Sequence, residues 1–198
     1  MTLFFTSDTH FGHQNIIQAC NRPFASVTEM DEAMIARWNE RVGPGDTVYH
    51  LGDFCFRNFI GADAYLKRLN GTIHLVQGNH DTETLKHHAR LFASVSLIRE
   101  IDAGGHNIVL CHYPMREWNG SWTGSWHLFG HVHGRLNHAP LGLSLDVAAD
   151  AHDFTPWSLD EIEAELKHHE NPFAAGRPER LEVTERPSAH AASDIAKV

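Results

Sequence analysis

Five short polar motifs, each placed where an apolar run stops, constrain this chain more than any other feature. They are Asp8-Thr9-His10, Gly52-Asp53, Gly78-Asn79-His80-Asp81, His112 and Gly130-His131-Val132-His133. The runs before them read as buried strands: Leu3 to Ser7, Thr47 to Leu51, Thr72 to Gln77, Asn107 to Cys111 and Trp126 to Phe129. The carboxyl ends of sheet strands are where α/β proteins place their ligands. A chain that sets Asp, Asn and His at such ends is therefore expected to gather them into one site. Two pairs, Asp8/His10 and His131/His133, are spaced by two. In extended backbone such residues point to the same side, so each pair can aim two ligand atoms at one place.

The intervening segments predict the scaffold. Met30, Met34, Trp38 and Val42 recur every four residues, which gives a helix from Thr28 to Val42 with Thr28 as its cap. Ala62, Leu66 and Leu69 predict a second helix, closed by Asn70-Gly71. Val95 to Ile101 reads as one strand, joined to the next through a turn at Gly104-Gly105. A polar and aromatic loop follows from Tyr113 to Ser125, then a last strand from Leu143 to Val147 and a helix from Ser158 to His168 with Glu161 completing a capping box. From Asn171 onward Pro, Ala, Glu and Arg dominate, so the reading is a domain over residues 1–170 and a tail of little regular structure over 171–198. Early strand–helix alternation argues an α/β fold, and the later strands argue a second sheet packed on the first.

Taken singly the motifs say little. Gly-Asp is commonplace, and His112 alone fits a hydrogen-bonded core histidine. Gly-His-x-His fits metal or phosphate, and Gly-Asn-His-Asp is the most specific piece. In this order, however, they resemble the calcineurin-like metallophosphoesterases, whose pattern is DxH, GD, GNH(D/E), a lone H and GHxH. The resemblance covers about residues 1–166. The stretch from Ser7 to His13, with Asp146-Val147 and Phe154-Thr155-Pro156, is similar to the small bacterial and phage-type branch. It implies a four-layer αββα sandwich with two mixed β-sheets flanked by helices. It also implies two divalent metal ions, one on Asp8, His10 and His133, the other on Asn79, His112 and His131, with Asp53 bridging. His80 would be an outer-shell acid and Asp81 would orient it. Imidazole with carboxylate suits Mn, Fe, Zn, Ni or Co, and Mn is favoured.

Composition narrows the substrate. The 17 histidines outnumber the 16 lysines and arginines, and the formal net charge is -9. That balance argues against an extended nucleic-acid track, which needs basic residues. A small phosphate ester or nucleotide-like molecule remains, because bound cations can dominate the local field; the intact Asn79-His80-Asp81 block and the aromatic loop put a diester before a monoester. His13, Arg22, Arg57, Arg116, Trp118 and Trp122 lie near the motifs and are read as a substrate wall. Surface ion pairs would equally account for Arg22 and Arg57, and loop packing for Trp118 and Trp122. His50 is read as structural. Three cysteines without a CxxC pair, no basic leader and no membrane-length apolar run predict a cytoplasmic protein. The competing readings are a nuclease, against which the charge speaks, and an inactive scaffold, against which the complete ligand set speaks.

Overall fold

The computed structural model describes residues 1–56 and 61–175. In chain order it contains β1 (Leu3–Thr6), α1 (Gln14–Ala19), α2 (Val27–Arg41), β2 (Thr47–His50), α3 (Ala62–Leu66), β3 (Thr72–Val76), α4 (Thr82–His88), β4 (Ser94–Ser96), β5 (Ile98–Ala103), β6 (His106–Cys111), β7 (Trp126–Phe129), β8 (Ser144–Asp146), β9 (Trp157–Ser158) and α5 (Leu159–Leu166). One sheet has the order β4-β3-β2-β1-β9 and the other β5-β6-β7-β8. Strands β1 to β4 run parallel and β9 antiparallel. In the second sheet β6, β7 and β8 are parallel and β5 is antiparallel. Both sheets are therefore mixed. Parallel neighbours end on the same side, so β1, β2 and β3 deliver three motifs to one edge of their sheet and β6 and β7 deliver two to theirs.

Strand alternation builds two cores from single words of sequence. Phe4, Val48 and Leu75 pack against α2 through Met30, Met34, Ile35 and Trp38. Their neighbours Phe5, Tyr49 and Val76 face the second sheet and meet Ile108, Leu110, Leu128 and Leu145. Each such side chain, fully buried, contributes about 1.5–3 kcal/mol. Ile162 and Leu166 of α5 join the second cluster. The sheets are also stitched by backbone: Ser7 N–H donates to Val147 O (3.2 Å) and Ala149 N–H to Ser7 O (2.9 Å). This seam lies one residue before Asp8.

Three local expectations are corrected. Ser26, not Thr28, caps α2: its hydroxyl accepts the Glu29 N–H at 3.2 Å. Asp31 turns inward to accept from Gly12 N–H (3.0 Å) and Tyr65 O–H (2.9 Å). The expected strand from Val95 to Ile101 is two strands, since Ser94–Ser96 pairs with β3 and Ile98–Ala103 with β6. The chain changes sheets at Leu97, 69% exposed, with no glycine or proline to mark the switch in the sequence. Helix α3 stops at Leu66, short of Asn70-Gly71. The capping box of α5 is present, with Ser158 and Glu161 bonded reciprocally.

The outer face of the second sheet is covered by the 113–125 loop. Trp118 packs on His127 (ring centroids 5.2 Å) and donates its indole N–H to Ser125 O at 3.1 Å. Residues past 170 take part: Phe173, on a 3-10 turn at Pro172–Ala175, contacts Trp118 and Trp122 at 5.6 and 4.9 Å. Residues 176–198, the remainder of the expected tail, lie outside the described residues. Among the described residues no helix is long and apolar enough to cross a membrane.

Besides His112, two imidazoles are fully buried, His50 and His127. His50 meets the Thr9 hydroxyl at 2.9 Å. His127 accepts the Met115 N–H at 3.1 Å, so its Nδ1–H donates to Val109 O at 3.0 Å. Burial, with His112 nearby, pushes His50 down to about 3, and burial pushes His127 down to about 4. As pH falls below the ordinary imidazole value of 6.5, the unfolded chain takes up protons that the folded chain refuses. Their stabilisation is complete above that value and is lost below it. Together they should cost roughly 3 kcal/mol between pH 6.5 and pH 5. Urea unfolding of chelator-treated protein at the two pH values measures this, and an unmoved midpoint would show that the imidazoles are not held neutral.

Candidate metal centre

The carboxylate and imidazole atoms converge at separations too long for hydrogen bonds. His10 Nε2 lies 3.7 Å from Asp8 Oδ1 and 3.6 Å from Asp53 Oδ2. His133 Nε2 is 3.8 Å from Asp8 Oδ1, and His112 Nε2 is 3.5 Å from Asp53 Oδ2. Atoms bound at about 2.1 Å to a shared cation sit roughly 3 Å or slightly more apart. Asp8, His10 and His133 form one such group and Asp53, His112 and His131 another. Asn79 Oδ1 stands 3.0 Å from His112 Nε2, beside the second group. Asp8 Oδ1 is buried without a hydrogen-bond partner. Its other oxygen receives the Ser7 hydroxyl and the His131 N–H. An orphaned buried carboxylate oxygen is costly unless a cation meets it, so these residues fit a metal. Asp53 Oδ1 accepts the His80 N–H at 2.8 Å, which leaves Oδ2 between His10 and His112.

The backbone reaches this arrangement through unusual conformations. Asp8, His10, Asp53, His131 and His133 all have positive φ, between 50° and 71°. Left-handed backbone at residues with a side chain costs on the order of 1–3 kcal/mol each and persists only where its surroundings enforce it. Cross-loop bonds supply the enforcement: Asp8 N–H to Gly52 O (2.9 Å), His10 N–H to Asp53 O (3.0 Å) and Gly130 N–H to His112 O (3.0 Å). Three glycines are required by space, among them Gly52, where a Cβ would strike the Gly78 backbone. A Cβ at Gly78 would strike the Asp53 carboxylate and amide, and one at Gly130 would strike Ser7 and Asp8.

The sequence pattern of the calcineurin-like phosphoesterase superfamily domain matches residues 1–139. The chain belongs to that superfamily. It is 35% identical over 169 residues to an uncharacterised protein of Methanocaldococcus jannaschii, covering 81% of this chain and 88% of that one. It is 29% identical over 190 residues to the gene 66 protein of a Mycobacterium phage, covering 81% and 93%. The crystal structure of a protein of unknown function from Aquifex aeolicus superposes with a TM-score of 0.65 at 27% identity, over 82% of this chain and 98% of that one.

The imidazoles of the two groups are held from behind. His112 donates Nδ1–H to Leu51 O at 2.7 Å, which leaves Nε2 as the lone-pair nitrogen facing Asp53. His133 Nδ1 lies 2.7 Å from Asp150 Oδ2. Asp150 is gripped in turn by Arg22, Nε to Oδ1 at 2.9 Å and a terminal nitrogen to Oδ2 at 2.7 Å. Arg22 also donates to Asp8 O (2.7 Å) and Thr9 O (3.0 Å). From sequence alone Asp150 follows the last strand and could face the site; its pairing with Arg22, 128 residues away, is not legible there.

Burial pushes Asp8 up to about 7 and drives His10 well below the ordinary imidazole value. For His133 burial lowers the value, but Asp150, Cys20 and Asp8 outweigh it and hold the ring at about 10. A cation at this place would displace the His133 proton.

Several expected roles change. Arg22 is 4% exposed and ties the first ligand loop to Asp150, so it is no part of a substrate wall. Asp81 does not orient His80: its oxygens accept the backbone N–H groups of Asp53 (2.8 Å), Phe54 (2.9 Å) and Gly78 (2.8 Å). It clamps the Gly-Asp loop to the Gly-Asn loop. Trp118 is buried and Trp122 donates to Glu117 at 2.8 Å, so both pack the loop with Phe173. Arg57 lies outside the described residues. His13 stays at the site, stacked on Phe56 at 3.8 Å with its Nδ1 3.4 Å from that of His10. His80 is exposed, its ring 5.4 Å from that of His10. Arg116 is exposed and, among the described residues, has no acidic partner.

Asp150→Ala should weaken Mn binding about 10- to 100-fold, the usual effect of removing the partner behind a ligand histidine. Calorimetric titration of the metal-free protein measures this. Wild-type affinity in the variant would show that Asp150 does not set the His133 ring.

Proposed function

We propose that this chain is a metal-dependent phosphodiesterase for small or nucleotide-like esters, working through a dinuclear centre. The observation that carries the reading is Asp53 Oδ2, which sits within 3.6 Å of an imidazole from each ligand group. A single oxygen so placed suits a carboxylate shared by two ions. Asp8, His10 and His133 would hold one, Asn79, His112 and His131 the other, with Mn the favoured metal. Two divalent cations supply charge that offsets the repulsion between a phosphate ester and an incoming nucleophile.

The rest of the chemistry falls to the chain. His80 stands at the mouth beside His10, where it can hold a proton for the leaving oxygen. Its backbone N–H fixes the Asp53 carboxylate, so acid and shared ligand move as one unit. Burial keeps His13 below the ordinary imidazole value, which suits a neutral group near a cationic centre. Arg116 is available for a non-bridging oxygen of the phosphate. The net charge of -9 weighs against a nuclease for long chains. The free thiols Cys20, Cys55 and Cys111 suit a reducing, cytoplasmic compartment.

Asp53→Ala should abolish turnover of an aryl phosphodiester and remove both metal equivalents at once, measured by elemental analysis after gel filtration. Retention of two tightly held ions would refute the shared-carboxylate arrangement. His80→Ala should slow an ester with an alkoxide leaving group about 10²- to 10⁴-fold. A nitrophenyl ester, whose leaving group needs no proton, should lose far less, with metal content intact. Equal losses in kcat/KM on the two esters would mean that His80 binds phosphate instead of supplying a proton.

A further inference from the structure

Apart from Met1, and Tyr113, which packs on His112 and His131, the large apolar side chains exposed among the described residues fall in two places. Leu91, Val95, Leu97 and Ile98 mark the corner where the chain changes sheets. Leu136 and Leu141 mark a cavity of about 200 Å³ on the outer face of the second sheet. Phe129 and Ser144, both 4% exposed, form its buried part, and Leu136, Leu141 and Arg116 form its solvent-facing rim.

The cavity stands close to the ligands along the chain. Pro114 follows His112 by two residues, Phe129 precedes His131 by two, and Leu136 follows His133 by three. At about 3.5 Å per residue its walls lie within roughly 7–11 Å of three ligand positions. Its polar groups are already engaged. Asn137 donates to Asp146 O (3.0 Å) and accepts its N–H (2.9 Å), and the Ser144 hydroxyl donates to Leu141 O (2.9 Å). What remains is an apolar hollow with one unpaired cation, Arg116, at its edge. Such a place cannot read a polar edge by hydrogen bonds. It can take a ring or short alkyl group that carries an anion.

We propose that this cavity is the subsite for the organic part of the ester: an apolar, ring-sized group joined to the phosphate, with Arg116 paired to a phosphate oxygen. The inference rests on the phosphoesterase reading above, so the experiment separates the two. Two phosphodiesters share a nitrophenolate leaving group and differ in the second ester group, methyl or naphthylmethyl. With Mn-loaded wild type, kcat/KM should favour the naphthylmethyl ester by about 10- to 100-fold, the effect of burying such a group. Leu141→Glu places a charge on the rim at a position 41% exposed, where folding tolerates it, and should bring the ratio toward one. Fluorescence titration of metal-free protein with 2-naphthol should show saturable binding that the same variant loses. Turnover of both esters without preference, and no naphthol binding, would overturn the subsite and leave the phosphoesterase standing. A preference that survives Leu141→Glu would overturn it too. Turnover of neither ester, with naphthol bound by wild type alone, would sink the phosphoesterase reading and leave an apolar ligand site.

Discussion

Two buried carboxylates, Asp8 and Asp53, are held within reach of three imidazoles with no proton shared between them, and the rest of the structure answers to that arrangement. Burial alone would favour a neutral Asp8, as its raised value shows. A fold tolerates such a cluster where a cation belongs in it. The left-handed backbone at five residues of the cluster, the three glycines pressed against neighbouring loops and the buried Asp81 clamp all keep these atoms together. Each is locally unfavourable or locally odd, and together they fix one geometry.

The site draws on both sheets, which explains why the seam beside Asp8 matters. Asp8, Asp53 and Asn79 come from strand ends of the first sheet, and His112, His131 and His133 from the second. Interdigitated side chains set the distance between the sheets, but they allow small sliding. The backbone bonds between Ser7 and the Val147–Ala149 segment fix the register at the place where sliding would part the ligands. The Arg22–Asp150 pair does the same from behind, because it touches the Asp8 carbonyl and the His133 ring at once.

The sequence made the strand ends, the ligand motifs and the two-sheet plan legible because each is written in contiguous residues. What it hid was decided by partners far away. Arg22 and Asp150 are 128 residues apart, and nothing near either announces the other. Asp81 sits next to His80, so adjacency suggested that it orients the ring; three backbone N–H groups without other partners claimed it instead. Trp118 and Trp122 could have faced substrate or packed a loop, and the choice fell to Phe173, some 50 residues on. Leu97 marks a change of sheet that no glycine or proline announces.

The pairing of β1 with β9 has a consequence for the newborn chain. Phe4 lies opposite Ser158, so one flank of the earliest strand waits for nearly the last. A polypeptide emerging from the ribosome has every residue of the candidate metal groups once His133 is made, yet at that stage β1 still shows a bare flank and Asp150 is unmade. An open strand flank is a template for pairing with other chains. The centre is thus spelled out before the scaffold that shields it, and completion of the final quarter of the domain decides when β1 stops being a hazard.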